Sequence, residues 1–252
     1  MVTAANTRIY VNQGHGEVQF HTDANNALSV EIRTKNLFMR SVMMNDLGHI
    51  TSLFGNPQVM AKFATGLTIN MMQVYERMKV WIKRWAERDP YSPMAVYHKD
   101  TNQFVGLISL GHGDRPGESE IAFLQVSPNW NKGYGSEAAK AMVKAFAPAT
   151  VREGFKLEGK PLTKIVATAR PDNPASCKIL EKLGMHLDKK EHKFGALRNH
   201  YSLDPNAAQE TIICTVSALL LQWLNCFSMT LYSMYRSLAT LGGRVSCSVQ
   251  SA

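Results

Sequence analysis

The chain has 252 residues, of which 45% are hydrophobic and 19% charged, with a formal net charge of +8, as expected for a globular protein with a full core. Its lysines and arginines form no run of five or six, which argues against a dedicated nucleic-acid arm. Its four cysteines lack CxxC or zinc-like spacing, so neither a disulfide framework nor a metal site is indicated. No secretory signal pattern is visible at the N-terminus, so a reduced, cytoplasmic setting is expected.

Residues 1–33 are predicted to form a polar, hairpin-like extension ahead of the main domain. Strand-like runs at residues 8–11 and 17–20 flank NQGHG, a turn sequence that contains glycine. Nothing in these residues identifies a role for the extension.

Residues 34–205 alternate strand and helix signals, which predicts an α/β (α+β) domain. Strands are predicted at 37–42, 94–98, 103–110, 120–126, 163–169 and 198–204. Helices are predicted around 47–54, along 71–88, after the glycines of WNKGYGSEAAKAMVKAF, and along 174–184.

The segment WNKGYGSEAAKAMVKAF places Gly133 and Gly135 directly before an amphipathic helix. The predicted buried face of this helix consists of Ala139, Met142, Val143 and Phe146. Amides at the start of a helix have no intrahelical partner and carry partial positive charge, so an anion such as a diphosphate can approach them where no Cβ intervenes. A flexible turn is the competing interpretation, because the chain has no P-loop and only two of the three dinucleotide-fingerprint glycines.

A second motif, NPASCKILEKLG, predicts a helix with complete start and stop signals. Asn173 suits the N-cap, Pro174 the first position and Gly184 the exit. The spacing places Ser176 on the buried stripe, where its hydroxyl either bonds within the core or faces a ligand slot.

In this order, EIAFLQV, SPNWNKGYGSEA, IVATA and NPASCKILEKLGM resemble the GNAT superfamily of N-acetyltransferases, within the ribosomal-protein-alanine N-acetyltransferase branch. TKNLFMRSVMMNDLGHITSLFGNPQVM is similar to the start of that branch. The resemblance covers about residues 34–204 and places the N-acetyltransferase domain at 34–205. It implies a mixed, mostly antiparallel sheet flanked by helices. The fourth and fifth strands, here 120–126 and 164–169, splay apart into a slot for acetyl-coenzyme A, and no metal is implied.

The resemblance also implies which residues hold the co-substrate. The diphosphate binds the amides of a loop made of Asn131, Lys132, Gly133, Tyr134, Gly135 and Ser136. The pantetheine arm pairs with the splayed strand near Leu124 and Val126, and Asn173 contacts the arm. Trp130 stands where many members have Gln or Arg.

Glu120 is the candidate base for an amine that attacks the thioester directly. An α-amino group loses its proton at neutral pH for roughly 1 kcal/mol, whereas a lysine costs about 4 to 5, so a weak base suffices. Glu120 shares a strand face with Ala122, and burial there is expected to raise its pKa. A wet or Arg-paired carboxylate is the alternative.

Ser176 is the second catalytic candidate. Where much of the superfamily places an acidic tyrosine, seven residues after the asparagine, this chain has Leu180. Ser176, a water molecule or unaided departure therefore remains for the leaving thiolate, and Ser176 is favoured as a contact to the co-substrate.

Two functional classes follow. The chain is expected to be an N-acetyltransferase acting on a protein N-terminus or a small amine, with acetyl-coenzyme A as donor. The alternative is a GNAT-fold module that binds coenzyme A or a partner without turnover. The sequence leaves open the acceptor and the identity of the acyl group.

Residues 206–252 form a hydrophobic tail that is predicted to be helical. Its stretch 211–235 contains 25 residues without a charge, enough to cross a bilayer, but Gln222 and Asn225 lie near its centre. Membrane anchoring, packing on the domain or on a second subunit, and a disordered extension all fit this pattern.

Overall fold

Alternating side chains build the central sheet, as in the strand Leu28–Arg33, where every second residue is buried. The structure is a computed structural model that describes residues 6–205. Its sheet has ten strands in the order β1-β2-β3-β4-β5-β6-β7-β10-β12-β11. They are β1 Asn6–Asn12, β2 Gly16–Thr22, β3 Leu28–Arg33, β4 Leu37–Ser41, β5 Met94–His98, β6 Phe104–His112, β7 Glu118–Gln125, β10 Lys164–Ala169, β11 His186–Lys193 and β12 Ala196–Leu203.

All neighbouring strands of this sheet are antiparallel except β7 and β10, which run parallel. A separate two-stranded ribbon joins β8 Lys156–Leu157 to β9 Lys160–Pro161. The mixed, mostly antiparallel sheet that the family resemblance implies is therefore confirmed.

Helices cover both faces of the sheet. They are α1 Leu47–Phe54, α2 Pro57–Met60, α3 Met71–Ala86, α4 Tyr134–Ala141, α5 Ala147–Arg152 and α6 Pro174–Lys182, with a π-helical turn Met142–Phe146 between α4 and α5. On one face Phe146 stacks on Phe20 of β2, at 6.1 Å between ring centroids. On the other face His49 of α1 stacks on Phe104 of β6 at 5.0 Å. We call these the α4 face and the α1 face.

The described part of the N-terminal extension continues the central sheet. β1 and β2 form the expected hairpin, and β3 joins them to β4. Phe20 is buried against Phe146 and, at 5.7 Å, against Phe155. Residues 6–33 therefore share one core with the segment that follows, and no break in the sheet marks position 33.

The hairpin is also tied to the helices by polar contacts. Arg8 and Tyr10 both donate to the Glu153 carboxylate, which lies just after α5. Asn12 Nδ2 donates to the Lys144 carbonyl at 2.6 Å. Pro148 has no N–H to offer that carbonyl four residues earlier, so Asn12 occupies an acceptor that the helix leaves free.

A buried ion pair fixes the start of α1. Asp46 accepts from Arg40 Nη2 at 2.7 Å, from the Met43 amide at 2.8 Å and from the Tyr97 hydroxyl. Burial alone would raise the pKa of Asp46, but the hydrogen bonds from Arg40, Tyr97 and Met43 outweigh it and lower the pKa.

Four strands differ from the sequence prediction. The two-residue strands β8 and β9 are too short to leave a pattern, and β3 lies inside the segment predicted as a hairpin-like extension. β11 was not predicted, because every one of its residues is polar or exposed and no apolar alternation marks it. The tail at 206–252, with its anchoring and packing alternatives, lies outside the described residues. Within residues 6–205 no helix combines the length and apolarity needed to span a membrane.

Candidate active site

The slot lies where β7 and β10 separate. Their pairing runs from Glu118↔Lys164 to Glu120↔Val166 and then stops, although β7 continues to Gln125 and β10 to Ala169. The gap widens toward the carboxyl ends of both strands, where α4 and α6 begin. The splayed pair that the resemblance implies is therefore present at residues 120–125 and 166–169.

Hydrogen-bond alternation decides which backbone groups of β7 face the gap. The Val126 amide donates to the Val105 carbonyl on β6 at 3.0 Å, and the Glu118 carbonyl accepts from the Gly113 amide at 2.9 Å. Even-numbered residues of β7 are thus committed to β6, and the backbone groups of Phe123 and Gln125 point into the gap. The backbone positions expected near Leu124 and Val126 shift by one residue for this reason.

The start of α4 offers free amides to the mouth of the gap. Gly133 is the N-cap residue in a left-handed conformation, φ +84°, and no side chain caps this helix. An added Cβ at Gly133 would meet no atom within 4 Å. Asn131 is also left-handed, φ +60°, and residues 131–133 are exposed. The first-turn amides of Tyr134, Gly135 and Ser136 are therefore open to an anion from outside.

The two glycines have different roles. At Gly135 an added Cβ would lie 2.9 Å from Gln125 Oε1 and 3.3 Å from Ile179 Cδ1, so this glycine lets α4 approach β7 and α6 closely. Trp130 closes the same corner, because its indole N–H donates to the Gln125 carbonyl at 3.0 Å. Lys132 is exposed in the loop before the free amides, and its Nζ donates to Asn129 Oδ1 at 3.5 Å.

Glu137 anchors the first turn of α4 on the opposite side. Its carboxylate accepts from Thr34 Oγ1 at 2.6 Å, from the Asn36 amide at 2.7 Å and from Asn36 Nδ2 at 2.8 Å. Burial would raise the pKa of Glu137, but these hydrogen bonds prevail and lower it. The sequence pattern does not reveal this anchor, because its partners lie about a hundred residues away.

Glu120 occupies the apex of the gap on the α1 face. Burial raises the pKa of its carboxyl, Asp114 raises it further, and Lys193 and His200 oppose this without reversing it. Thr168 Oγ1, across the apex on β10, lies 3.5 Å from Glu120 Oε1. Glu120 forms no ion pair with any residue in 6–205, so the alternative of an Arg-paired carboxylate is not met.

A row of polar side chains extends from Glu120 across the sheet. Thr168 pairs with His200 on β12, and Asp188 Oδ2 lies 3.6 Å from the buried Nδ1 atom of His200. Arg198, only 3% exposed, follows on the same face and donates to the carbonyls of Lys193 and Ala64. Sequence reasoning missed this row, because only the strand register brings the three strands together. The one signal in the sequence is the alternation in RNHYSLD, which places Arg198 and His200 on the same face of a strand.

α6 lines the other side of the gap. Asn173 Oδ1 accepts from the Ser176 amide at 3.3 Å and so caps the helix as predicted. The buried stripe passes through Cys177, Leu180 and Leu183, whereas Ser176 is half-buried at its edge. The prediction that Ser176 belongs to the buried stripe is off by one residue.

A loop after α2 approaches the same end of the slot on the α1 face. Lys62 donates to the Asp172 carbonyl, next to Asn173, and Ala64 accepts from Arg198. Between residues 6 and 205, no three histidine, cysteine, aspartate or glutamate side chains are grouped so as to hold a metal ion.

Comparisons with known proteins agree with this geometry. A family model described as an acetyltransferase (GNAT) domain matches residues 36–186. The uncharacterised protein YkkB of Bacillus subtilis is 24% identical over 148 residues, which cover 56% of this chain and 76% of that protein. A GNAT-family acetyltransferase from Bacillus anthracis has a similar structure, with a TM-score of 0.57 and 20% identity over 70% of this chain and 99% of that one. RimL, a ribosomal L7/L12 alpha-N-protein acetyltransferase solved with coenzyme A, also has a similar structure, with a TM-score of 0.54 and 15% identity over 68% of this chain and 95% of that one.

Proposed function

We propose how this chain works from one premise: it belongs to the GNAT acetyltransferase family. It is accordingly an acetyl-coenzyme-A-dependent N-acetyltransferase, which moves an acetyl group from the thioester to a primary amine. The residue roles and the class of acceptor given below are our proposals. They rest mainly on one observation, the gap that has free helix amides at its mouth and a half-buried carboxyl at its apex.

The mouth of the gap would hold the diphosphate of coenzyme A. The amides of Tyr134, Gly135 and Ser136 point outward from an uncapped helix start, and Lys132 supplies charge. From there the pantetheine arm would run along β7 near Leu124 and Val126 and pair with the backbone groups of Phe123 and the Gln125 amide, since the Gln125 carbonyl already accepts from Trp130. The strand from Gln125 back to Glu120 is about 17 Å long, a length suited to an extended arm.

Glu120 would act as the base at the apex. As the amine nitrogen forms its bond to the thioester carbon, the carbon–sulfur bond breaks and the amine proton passes to the Glu120 carboxylate. Burial raises the pKa of Glu120 toward the working range of a general base. Thr168 would hold the carboxylate in place through its hydroxyl.

α6 would hold the thioester end of the arm. Asn173 and Ser176 sit at the first turn of this helix, and the Ser176 hydroxyl is half-exposed at the slot opening. We assign Ser176 as a contact to the co-substrate and a hydrogen-bond donor to the leaving sulfur, because Leu180 fills the usual acid position with a buried hydrocarbon. Ser176→Ala should then raise the KM for acetyl-coenzyme A while the unfolding midpoint stays unchanged.

The acceptor we favour is the α-amino group of a polypeptide. A single carboxylate of raised pKa is a weak base, and it suffices for an amine of pKa about 7.7 to 8 but not for a lysine near 10.4. RimL, named as an alpha-N-protein acetyltransferase, shares the fold.

We retain three further proposals from the sequence: a domain at 34–205, a cytoplasmic location, and a tail at 206–252 that anchors to a membrane or packs on a partner.

The test is release of free thiol from acetyl-coenzyme A with matched acceptors. One peptide has a free N-terminus and no lysine, a second has a blocked N-terminus and one lysine, and a third acceptor is a small primary amine. We expect turnover with the first peptide to exceed turnover with the second by at least tenfold. Equal rates would overturn the α-amine assignment. If calorimetry shows heat of coenzyme A binding but acetyl-coenzyme A releases no free thiol with any of the three acceptors, the binding-module alternative is favoured.

A further inference from the structure

The two edges of the ten-stranded sheet differ in chemistry. β11, at one edge, has the sequence HLDKKEHK, and its charged side chains protect it from pairing with another strand. β1, at the other edge, has the sequence NTRIYVN with one charge and no proline. Two of its apolar side chains are strongly exposed, Ile9 at 57% and Val11 at 69%. Of the two sheet edges within residues 6–205, β1 is therefore the one open to strand addition.

Backbone alternation shows which groups β1 presents outward. The Asn12 carbonyl accepts from the His15 amide inside the hairpin, so Asn12 faces β2, and Tyr10 and Arg8 follow it. The N–H and C=O groups of Thr7, Ile9 and Val11 must then point away from the sheet. Among residues 6–205, no other strand pairs with this edge.

We propose that two copies of this chain associate through their β1 strands, antiparallel about a two-fold axis at Ile9. Ile9 is the midpoint of β1, so a two-fold axis there lets the two strands overlap along their full length. The backbone N–H and C=O of Ile9 also point outward, so the same register lets the two strands form hydrogen bonds. Thr7 of each copy would pair with Val11 of the other, and Ile9 with Ile9, each pair exchanging two hydrogen bonds. The two sheets would join into one.

The side chains are compatible with this register. The exposed Ile9 and Val11 side chains share one sheet face with Thr7, so the pairing covers apolar surface on both copies. Arg8 falls opposite Tyr10 of the second copy rather than opposite another cation, and its charge is already compensated by Glu153. A second copy is thus the occupant that fits this edge without a like-charge contact.

The decisive variants change the outer side of β1 and leave the hairpin intact. Ile9→Pro removes an outward N–H without touching the β1–β2 ladder, and Ile9→Lys places two cations on the axis. Leu187→Lys, at 51% exposure on the opposite edge, is the matched control. By sedimentation velocity we expect the full-length wild type and Leu187→Lys to be dimers and both Ile9 variants to be monomers.

Two results would overturn the proposal. A monomeric wild type at tens of micromolar would leave this edge to the chain's own unassigned residues or to another partner. A dimer that persists in both Ile9 variants would place the interface elsewhere, for example in the tail. Circular dichroism and acetyl transfer serve as folding controls, because β1 lies outside the acetyl-transfer site; the far-ultraviolet spectrum and turnover should match the wild type in every variant.

Discussion

Glu120 and Val166 form the last pair between β7 and β10, and the two strands separate beyond them. The catalytic candidate therefore marks the point where the slot closes. In the binding mode we propose, an acyl group carried down the gap would stop beside Glu120. An amine would then reach it from the α1 face, where Thr168 and His200 continue the polar surface.

Glu120→Gln should abolish most turnover, because a neutral amide cannot accept the amine proton. We expect a fall of about 10²-fold or more in kcat/KM. In the wild type, kcat/KM should rise with pH through the raised pKa of Glu120, and this limb should vanish in the variant. Glu118→Gln, on the same strand, is the control. A Glu120→Gln profile that superimposes on the wild type would remove Glu120 from the mechanism.

The same variant has a consequence for stability that does not depend on activity. The pKa of Glu120 is higher in the folded chain than its unfolded value of about 4.3. Between these two pKa values the folded state binds more protons, so the free energy of unfolding falls as pH rises through that interval. Other carboxyls, such as Asp46 and Glu137, have lowered pKa values and act in the opposite direction. The difference in free energy of unfolding between wild type and Glu120→Gln, measured by chemical denaturation from pH 4 upward, should therefore show this fall.

Gly133→Ala should weaken binding of acetyl-coenzyme A beyond its backbone cost. The left-handed φ makes any Cβ cost about 1 to 2 kcal/mol of stability. Gly154, φ +78° and with no atom within 4 Å of an added Cβ, is the matched control. Both variants should lose similar stability by thermal denaturation, whereas only Gly133→Ala should raise the KM, by about tenfold. A KM raised equally in both would show that the loss is not local to the loop.

Asn173→Ala separates capping from contact with the co-substrate. Asn173 and Asn56 both cap a helix that begins with proline, and each accepts from a backbone amide. Removing either cap should cost about 1 kcal/mol. We expect a higher KM for acetyl-coenzyme A only in Asn173→Ala, and an unchanged KM in both variants would reduce Asn173 to a structural role.

Asp46→Asn should destabilise the domain without changing the slot. It leaves the Arg40 guanidinium without its carboxylate, at a cost of about 3 kcal/mol. Because the pKa of Asp46 is lowered by folding, its contribution is present above the unfolded pKa of about 3.9 and is lost as pH falls below that value. Urea denaturation should therefore show the two proteins converging in acid. Glu76→Gln, which breaks an exposed pair, should leave the midpoint unchanged.

Phe20→Ala tests whether the N-terminal hairpin is part of the core. Phe20 contacts Phe146 and Phe155, and truncation there should cost about 3 to 5 kcal/mol. The control, Phe194→Ala, removes a ring that is 44% exposed. In chemical denaturation we expect Phe20→Ala to unfold in a single cooperative transition, with its midpoint at a lower denaturant concentration than that of the wild type. Two separate transitions would mean that the hairpin unfolds independently.

Local patterns predicted what local physics determines. The cap at Asn173 and the free amides after Gly133 each depend on neighbours within a few residues. The strand alternation marks Glu120 as a candidate, but its surroundings come from Thr168, Lys193 and His200 on distant strands. The strand β11 escaped because its side chains are solvated on both faces, so no periodic burial marks the sequence.

Other features depend on register, which a single sequence does not reveal. The backbone groups of Phe123 face the gap, and those of Leu124 do not, because the even-numbered residues of β7 form their backbone hydrogen bonds with β6. The row through Thr168 and His200 requires the β10–β12 pairing. Ser176 was displaced from the buried stripe by one helical position, a rotation of about 100°.

The side-chain amide of Asn12 donates to the Lys144 carbonyl, for which Pro148 has no N–H. This contact links position 12 of the hairpin to position 148 of the helix. The hairpin thus supplies a donor to a carbonyl that an α-helix would leave without one at this point, within the π-helical turn. Loss of the Asn12 amide would leave that carbonyl to water, so Asn12 couples the edge hairpin to the helix that carries the acetyl-transfer machinery.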